Sequence, residues 1–593
     1  MSKRIFEEKQ AGYYGEIVDE LEKIKKNAAG VRRPEEFIRF STEVVSIIER
    51  AAALGARGEA LNSIANKAIE AVELAAKNLE IADEDIRRYG TPMMKKVYEE
   101  FRDSPTVVKD LRQGVLNKLK ATMVTRIINT ALEPELEPHV RELADILADA
   151  YRRSGRLEDA MNAAYDYFRR AKYGGGRLAD QLFTEASLSL QHAPRSMQKF
   201  SRAVLTTCPG ADVCGAQCYA LHGNYTLLQT KRAIALRDLF VTKLQSELSK
   251  RVGGDKALIA GLLGATFAAG VKSLGFGNIV RLHDAGDFSN DVYLTAWMTA
   301  AKLLPNVMIY TYTKTFPNVE GMPRVWQEAV ELYRALFGEP PPKNFNINLS
   351  GTATNYKFLA GAAEALTGLG INVPGVFFYA PANMDEYYRN REERWRELAA
   401  ALVEAVRRTT GKKLVLEFEH GLGARRAAKS SENIIRLVDE ITNYVNKTST
   451  QLTISIPETA YSEVKLDEEQ KEALRRIQDP YARSVILTDP DKMRSLGRLQ
   501  TMLALKGYSY TKGFEGKWLK KKEGVDVGFM RPARVFTIPG IGEPVEVFIE
   551  PGGEKACSLC QRCVAAEHSP LKSSFKIRLS DKERARTKNL VAA

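Results

Sequence analysis

Apolar positions follow a helical spacing along the chain up to about residue 180. Segments such as 58–83 and 140–172 place Ala, Leu and Ile three or four residues apart, with charged residues between them, which is typical of amphipathic helices. We therefore predict a helical bundle over this part of the chain. One helix is expected to stop near Gly155, and the glycine-rich run 174–177 is a candidate hinge.

From about residue 190, short apolar runs alternate with longer helical patterns such as 293–304 and 384–409. An alternation of strands and helices favours βαβ units and a parallel sheet, either open or closed into a barrel. The runs predicted as strands are 278–283, 306–312, 344–349, 373–379, 413–418 and 451–456.

The predicted fold class is therefore α/β, with a partial βα barrel as its core. We expect a helical N-terminal domain at 1–180, a βα core at 181–465 and a C-terminal extension at 466–593. The extension contains a basic and aromatic run, 506–522, whose composition is that of a single-strand nucleic-acid binder or of a solvated basic loop.

Polar residues follow four of the predicted strands. The carboxyl ends of parallel strands meet at one edge of a sheet, and catalytic and ligand-binding residues are commonly found there. We therefore expect these groups to lie near one another. They are His283–Asp287, Thr311–Lys314, Ser350–Thr352 and Pro457–Glu458.

The first of these groups is the densest polar cluster outside the cysteines. A carboxylate beside a histidine can orient it for proton transfer or metal ligation, so His283, Asp284 and Asp287 are candidate catalytic residues. A capped strand-to-helix turn, with Gly286 at the turn, explains the same residues equally well.

Two basic residues near the strand ends are candidate anion ligands. Arg281 is expected to share the strand face of His283 and could bind a carboxylate or a phosphate. Lys314 could do the same at the next strand end, although an isolated lysine is more often a solvated residue.

The composition and net charge of the chain indicate which class of partner it could bind. The 593 residues are 44% hydrophobic and 27% charged, as in a globular protein of several domains. The net charge of +13 favours an anionic partner, nucleic acid first, although a surface rich in salt bridges gives the same balance. Dense use of Glu, Lys and Arg is also typical of thermophile proteins.

Neither a signal peptide nor a membrane span is predicted. The chain starts without an apolar run, and its most apolar stretch, 258–271, is shorter than a bilayer span and has the composition of a buried helix. We therefore expect a cytoplasmic protein without membrane contact. In a reducing compartment its six cysteines are expected to be metal ligands or catalytic thiols.

All six cysteines fall into two tight motifs. Several thiolates brought together are stabilised by a soft cation or a metal cluster. Three cysteines can bind three irons of a 4Fe-4S cluster and leave the fourth iron open. The first motif is Cys208, Cys214 and Cys218, and the second is Cys557, Cys560 and Cys563.

Two questions about these motifs stay open at this point. Zinc usually takes four ligands, which the second motif could supply together with His568, so that site is either zinc or iron. Either each motif holds its own cluster, or one cluster takes three cysteines from one motif and one from the other. We predict separate sites, which would leave an open iron for chemistry.

Several short motifs together resemble the phage gene-product-88-like family. The similarity spans about residues 180 to 565, outside the N-terminal helices, and the family also ends in a C-x-x-C-x-x-C-like motif such as that at 557–563. The motifs that carry it are Thr207-Cys-Pro-Gly, Cys214, Cys218-Tyr-Ala, Arg281-x-His283-x-x-Gly286-Asp-Phe288 and Tyr312-Thr-Lys314.

The Cys218-Tyr-Ala motif and the strand-end groups also resemble radical S-adenosylmethionine enzymes. That resemblance implies a partial βα barrel and a three-cysteine cluster whose open iron binds the amino and carboxylate groups of S-adenosylmethionine. It implies that Gly286 and Asp287 lie where the methionyl amino group binds, and that Ser350 lies near the ribose.

Two functions follow from these observations. The first is an iron–sulfur enzyme of a mobile-element-related family, radical-SAM-like and acting on nucleic acid or a nucleotide. The second is a non-catalytic nucleic-acid-binding or assembly protein of a virus or mobile element, in which metal only stabilises the fold. The N-terminal helices would then bind a protein partner.

Overall fold

The computed structural model describes the N-terminal and central parts of the chain and several strands beyond them. The described residues are 2–183, 197–274, 279–322, 324–380, 384–389, 391–410 and 413–418, single residues between 433 and 444, and 451–457, 509–511, 533–537 and 544–550. The second cysteine motif, His568, Glu458 and most of the run 506–522 lie outside the described residues.

Helices fill the N-terminal region, as predicted. Several begin with a proline in the first turn, where its missing N–H has no helical partner to lose. The helices are α1 (Ser2–Asn27), α2 (Pro34–Ala53), α3 (Gly58–Ala76), α4 (Asp83–Tyr89), α5 (Pro92–Phe101), α6 (Pro105–Ser154) and α7 (Leu157–Arg170). The predicted stop near Gly155 is confirmed, because Gly155 caps α6 in the left-handed conformation.

The glycine-rich run 174–177 is not a hinge. It forms a two-residue hairpin between β1 (Lys172–Tyr173) and β2 (Gly176–Arg177), and Gly174 and Gly175 make the turn at φ 53° and 80°. Two positive φ values in succession match the tight turn that a hairpin needs. The helix α8 (Leu178–Phe183) follows directly.

The six predicted strands of the core are all present, and four further strands join them. The strands are β3 (Met197–Phe200), β4 (Ile279–Leu282), β5 (Met308–Thr313), β6 (Phe345–Thr352), β7 (Asn372–Ala380), β8 (Lys413–Phe418), β9 (Gln451–Pro457), β10 (Ser509–Thr511), β11 (Ala533–Thr537) and β12 (Pro544–Glu550).

Helices connect most of the strands in the way a βα pattern predicts. They are α9 (Cys214–Gln217), α10 (Leu228–Arg251), α11 (Lys256–Leu274), α12 (Asp291–Leu303), α13 (Val325–Phe337), α14 (Leu359–Gly368), α15 (Met384–Tyr387) and α16 (Glu392–Arg407). Short 3-10 turns lie at 28–30, 219–221, 223–226 and 356–358.

The ten longer strands form one sheet with the order β10-β11-β9-β12-β8-β7-β6-β5-β4-β3. From β3 through β8 each strand pairs in parallel with the next one in the chain, which confirms the predicted parallel sheet. At the other end, β11 and β10 add antiparallel strands. Among the described strands the sheet is open, because β3 and β10 form its two edges.

One face of the sheet packs into the main hydrophobic core. Since successive residues of a strand point to opposite faces, Val280, Ile309, Ile347 and Val376 share this face, and all are fully buried among residues of the surrounding helices. The same core contains residues of the N-terminal helices, such as Ile127 of α6. The N-terminal helices therefore pack on the βα core, and the division into three domains stays a prediction.

The opposite face of the sheet carries polar and aromatic side chains, and we call it the polar face. Its buried residues include Asn346, Asn348 and Phe377, of which Phe377 does not pack into the main core. The polar face is formed by Lys199, Arg281, Tyr310, Tyr312, Asn346, Asn348, Ser350 and Phe377, which strand pairing places on the same side.

The most apolar helix of the described residues is α11. By length and composition alone it could cross a membrane, but most of it is buried inside the protein. Its central residues, such as Leu262 and Phe267, belong to the main hydrophobic core. This burial agrees with the predicted core helix, while a cytoplasmic location stays a prediction.

Candidate metal centre

The first cysteine motif lies in a loop that crosses the carboxyl edge of the parallel sheet. This loop, residues 201–218, follows β3, includes the short helix α9 and contacts the chain at the ends of β4, β5 and β6. Three of the four polar groups predicted at strand ends therefore meet at this edge. The fourth, at Glu458, lies outside the described residues.

Asp212, between the first two cysteines, ties the loop to the end of β6. Its buried carboxylate accepts hydrogen bonds from the hydroxyls of Thr352 and Thr354, the latter at 3.0 Å. The same carboxylate accepts the backbone N–H of Cys214 at 3.0 Å, at the start of α9. A buried carboxylate with three donors holds the loop in one position, because each donor would otherwise lack a partner.

Two glycines let the loop approach the strand ends closely. A Cβ at Gly210 would overlap the backbone carbonyl of Lys314, after β5. Gly286 has a φ of 86°, and a Cβ there would lie 2.7 Å from Thr207 Oγ1 and from Arg202 Cβ. Both positions therefore require glycine, which accounts for two glycines of the motifs that carried the family resemblance.

The three thiols of the motif are neighbours in space. Cys208, Cys214 and Cys218 are free, partly buried cysteines. Burial raises the pKa of each thiol, and for Cys208 the nearby Asp287 carboxylate and the other two thiols raise the pKa further. Without a cation the thiols are therefore protonated at neutral pH, and binding of a metal would displace their protons.

Lys314 brings a positive charge beside two of the three thiols, those of Cys214 and Cys218. Burial alone would lower the pKa of Lys314, but the neighbouring Cys214 and the carboxylates of Asp212 and Asp287 raise it. Its ammonium donates a hydrogen bond to Ser350 Oγ at 3.0 Å. The two residues therefore lie together at the carboxyl end of the polar face, beside the cysteines.

Asp287 stabilises the turn that follows β4. Its carboxylate accepts hydrogen bonds from the Thr313 hydroxyl at 2.7 Å and from the backbone N–H groups of Phe288 at 2.8 Å and Lys314 at 2.9 Å. Burial raises the pKa of this carboxyl, while the hydrogen bonds oppose the shift. Both oxygens are engaged by the protein itself. The alternative interpretation as a capped turn with Asp287 or Ser289 as the helix N-cap is correct for the turn at Gly286 but wrong for the cap, because the N-cap of α12 is Asn290.

His283 does not share a face with Arg281, contrary to the prediction from strand alternation. His283 has a φ of 58°, so the extended backbone ends there and its ring turns toward the main core. Its Nδ1 lies 3.2 Å from the Thr311 hydroxyl and its Nε2 lies 3.1 Å from the Tyr293 hydroxyl. Burial lowers the pKa of His283 to about 3, so the ring is neutral and fully hydrogen-bonded.

Asp284 takes part in a buried ion-pair network at the polar face, on the opposite side of the sheet from the His283 ring. Its carboxylate lies 3.1 Å from Lys199 Nζ and 2.9 Å from Arg281 Nη2, and it accepts a hydrogen bond from the Tyr225 hydroxyl. Burial alone would raise the pKa of Asp284, but Arg281 and Lys199 hold it below its usual value. The Arg281 guanidinium also lies over the Tyr312 ring, 5.4 Å from its centroid.

The N-terminal helices form one wall of the cysteine loop, which local sequence patterns did not predict. Thr91, the N-cap of α5, donates a hydrogen bond to the carbonyl of Ala211. Asn117 of α6 donates to the carbonyl of Gly215 at 3.0 Å. At Gly114 a Cβ would lie 3.6 Å from the Gly215 backbone, so α6 and α9 approach closely. Two glycines on facing helices are the one sequence signal of this contact.

In the described part of the chain, no three His, Cys, Asp or Glu side chains form a ready-made metal site. The three thiols are close enough to influence one another electrostatically, but a metal would still have to draw them together. The donor set nevertheless suits a soft metal, because it consists of thiols. The second motif contributes nothing to this geometry because it lies outside the described residues.

One family model matches the central part of the chain. Residues 169–418 match the Gene product 88 family model. No curated protein matches the chain, and no solved structure matches it.

The Gene product 88 region, residues 169–418, runs from the end of α7 to the last residue of β8. It contains the first cysteine motif and the strand ends beneath it, so the predicted family resemblance is confirmed over this region. It does not include the second cysteine motif, which the resemblance had also covered. It also excludes α5 and α6, although both contact the cysteine loop.

Proposed function

We propose that this protein binds an iron–sulfur cluster through Cys208, Cys214 and Cys218. The observation that carries the proposal is the grouping of these thiols above the carboxyl edge of a parallel sheet, beside the half-buried side chain of Lys314. Loops at this edge of α/β sheets commonly hold reactive groups. The anchoring by Asp212 holds the loop at the strand ends before metal binds, so that binding would have to draw only the thiols together.

Iron in a cluster suits this site better than a single zinc ion. Structural zinc usually takes four protein ligands, whereas the described motif supplies three thiols. The nearby Asp212 and Asp287 carboxylates already accept hydrogen bonds from the protein. A 4Fe-4S cluster can be bound by three cysteines, with one iron left open. Lys314 would offset part of the negative charge that three thiolates bring to a buried position.

We further propose that the open iron serves an enzymatic reaction with S-adenosylmethionine as cofactor. When bound, the cluster would supply one-electron chemistry. Lys314 and Ser350, at the end of the polar face beside the thiols, could bind a carboxylate of the cofactor or a phosphate of the substrate. In this proposal Asp287 orients the turn beneath the site, since its own hydrogen bonds occupy both oxygens.

The polar face extends the proposed site toward a polar substrate. It brings Lys199 and Arg281, which share the single carboxylate of Asp284 and so leave one net positive charge, to the side of the sheet opposite the main core. Two buried amides, Asn346 and Asn348, lie on the same side. A nucleotide or nucleic acid would complement such a surface, because it offers both phosphate charges and hydrogen-bonding base edges. The basic net charge of +13 supports the same class of substrate.

The test is anaerobic purification of the full chain, followed by analysis for iron, sulfide and zinc and by a visible spectrum. We expect iron and sulfide with the broad absorption of a cluster, and loss of that absorption from the first site in a Cys214→Ser variant. A protein with zinc alone, or with no metal, would contradict the proposal. Equilibrium dialysis with labelled S-adenosylmethionine, on wild type and on the same variant, then tests the cofactor separately.

A further inference from the structure

Three helices contribute to a cluster of charged side chains beside the cysteine loop. The Glu73 carboxylate of α3 lies 3.0 Å from Lys231 Nζ of α10 and 3.6 Å from Lys120 Nζ of α6. The next residue of α10, Arg232, donates a hydrogen bond from Nη2 to Asn66 Oδ1 of α3 at 2.7 Å. We call Lys120, Lys231 and Arg232 the basic cluster.

The basic cluster carries more positive charge than its surroundings neutralise. Burial alone would raise the pKa of Glu73, but Lys231 and Lys120 lower it, so this carboxylate is ionised at neutral pH and offsets one of the three cations. Within the part of the chain that the structure describes, Arg232 pairs with an amide and a backbone carbonyl and not with a carboxylate. Two positive charges therefore remain at half-buried positions.

A network at the end of α16 shows how such an excess is otherwise avoided. The Glu404 carboxylate lies near both Arg407 and Arg408, but Arg408 also pairs with a second acid, Glu364. Two cations there have two carboxylates. At Glu73 the second acid is missing from the described residues around the cluster, and cations held together without acids repel one another. An external anion would relieve this repulsion.

The basic cluster lies next to the cysteine loop. Asn117 of α6 donates a hydrogen bond to the Gly215 carbonyl of this loop at 3.0 Å, and Lys120 follows Asn117 by three residues. Residues three apart are neighbours on one side of a helix, about 4.5 Å apart along its axis. In addition, α10 begins ten residues after Cys218. A ligand on the basic cluster would therefore lie close to the proposed metal site.

The length of the basic cluster fits an extended anion. Arg232 contacts Asn66 and Lys231 contacts Glu73, and these two residues of α3 are seven positions apart, or about 10 Å along the helix. A nucleic-acid strand carries one charge about every 3.4 Å of its helix axis, so a row of this length faces about three phosphates. The half-buried position of the cations favours a narrow strand over the broad surface of an acidic protein.

We propose that the basic cluster binds the phosphodiester backbone of a nucleic-acid strand and holds it beside the cysteine loop. The proposal rests on the proposed function only for the class of substrate, because phosphate binding by these side chains does not require iron. The cluster combines α3 and α6, which lie outside the Gene product 88 region, with α10, which lies inside it. It therefore gives the N-terminal helices a part in substrate binding.

Fluorescence anisotropy with a labelled single-stranded DNA oligonucleotide tests this surface in the full chain, as purified and after removal of bound iron. At about 0.1 M salt, Lys231→Gln should bind about fivefold more weakly, and its plot of log K against log[salt] should be shallower by about 0.7, because one phosphate contact is lost. Glu73→Gln removes the offsetting carboxylate and should bind more tightly than wild type. Lys67→Gln removes a half-buried lysine of α3 that is paired with Glu22, and as the control for net charge it should keep the wild-type slope.

Equal effects of Lys231→Gln and Lys67→Gln, or no effect of either, would overturn the proposal. Binding of an acidic peptide or of inorganic phosphate in preference to the oligonucleotide would also overturn it. If circular dichroism shows that Lys231→Gln does not fold, Glu73→Gln decides, and binding no tighter than that of wild type would refute the cluster. Protein that never contains iron but binds the oligonucleotide in this way would contradict the proposed function and leave the basic cluster standing, whereas iron-loaded protein that fails to bind would do the reverse.

Discussion

Gly210 packs directly against the backbone of Lys314, and no side chain fits between them. The contact joins the loop of the first cysteine motif to the residue that follows β5. It also explains why the half-buried side chain of Lys314 lies beside Cys214 and Cys218. The position of this charge next to the thiols of Cys214 and Cys218 thus depends on the absence of one methyl group.

We expect Gly210→Ala to displace the cysteine loop, because its new Cβ would overlap a carbonyl oxygen that belongs to the backbone and cannot rotate away. The variant should lose about 1–3 kcal/mol of unfolding free energy, as overpacked sites do, together with most of its bound iron. Urea denaturation and iron analysis measure the two effects. Gly368→Ala, which places its Cβ in open space, is the control, and an equal response of both variants would refute the contact.

Acid should destabilise the protein through His283. The unfolded state takes up a proton near the ordinary histidine pKa of about 6.5, whereas the buried ring does so only near a pKa of about 3. Between these values the unfolded state binds more protons, so stability falls as the pH falls. From pH 7 to pH 5 the loss due to this residue is about 2 kcal/mol.

The variant His283→Asn isolates this effect, because asparagine tolerates the left-handed backbone at this position. It should be less stable at pH 7, through lost packing against Phe288, but its stability should fall by about 2 kcal/mol less than that of wild type between pH 7 and pH 5. Denaturation at both pH values measures the difference. His222→Asn, at an exposed position, should keep the wild-type pH dependence, and parallel pH curves for all three proteins would count against a buried neutral His283.

Asp212 should be needed to keep the cysteine loop on the sheet. In Asp212→Asn the shape is kept, but the carboxylate that accepts three donors is lost. Hydrogen bonds to a charged acceptor contribute more than neutral ones, so we expect a loss of about 2 kcal/mol in unfolding free energy and a lower iron content. Asp255→Asn, at the exposed start of α11, is the matched control, and unchanged iron in Asp212→Asn would show that the anchor is dispensable.

The contact between α6 and the cysteine loop predicts a role for the N-terminal helices in metal retention. Asn117→Ala removes one hydrogen bond to the Gly215 carbonyl, worth about 1 kcal/mol, or roughly a fivefold change in an equilibrium. We expect iron to be lost to a chelator faster by about that factor. Lys109→Ala, at an exposed position near the start of α6, should keep the wild-type rate. If Asn117→Ala lost iron at the wild-type rate, the contact of α6 with the cysteine loop would have no role in metal retention.

Local patterns were sufficient to predict most of the fold. The run 413–418 is a strand over those very residues, and the other five predicted strands lie within a few residues of their expected bounds. Buried parallel strands have nearly continuous, short apolar sequences, so they can be recognised from the pattern of hydrophobic residues. The strand β12 has the alternation of Val545, Val547 and Ile549 with other residues, which was a usable signal that the prediction overlooked.

The candidate site was predictable only in part. The meeting of the strand-end groups followed from parallel topology, but the side taken by His283 did not, because a positive φ at a histidine leaves no mark in the sequence. The contacts of Thr91 and Asn117 with the cysteine loop are likewise long-range. Such contacts depend on packing between distant segments, which local periodicity does not encode.

Mössbauer spectroscopy of protein prepared with ⁵⁷Fe under anaerobic conditions tests the central claim most directly. We predict that the full-length protein shows the signals of cluster-bound iron, and that the triple variant Cys208→Ser, Cys214→Ser and Cys218→Ser loses the signals of the first site while its helical circular dichroism is retained. Wild-type protein without cluster iron, or a triple variant with an unchanged spectrum, would contradict the assignment of these thiols as iron ligands.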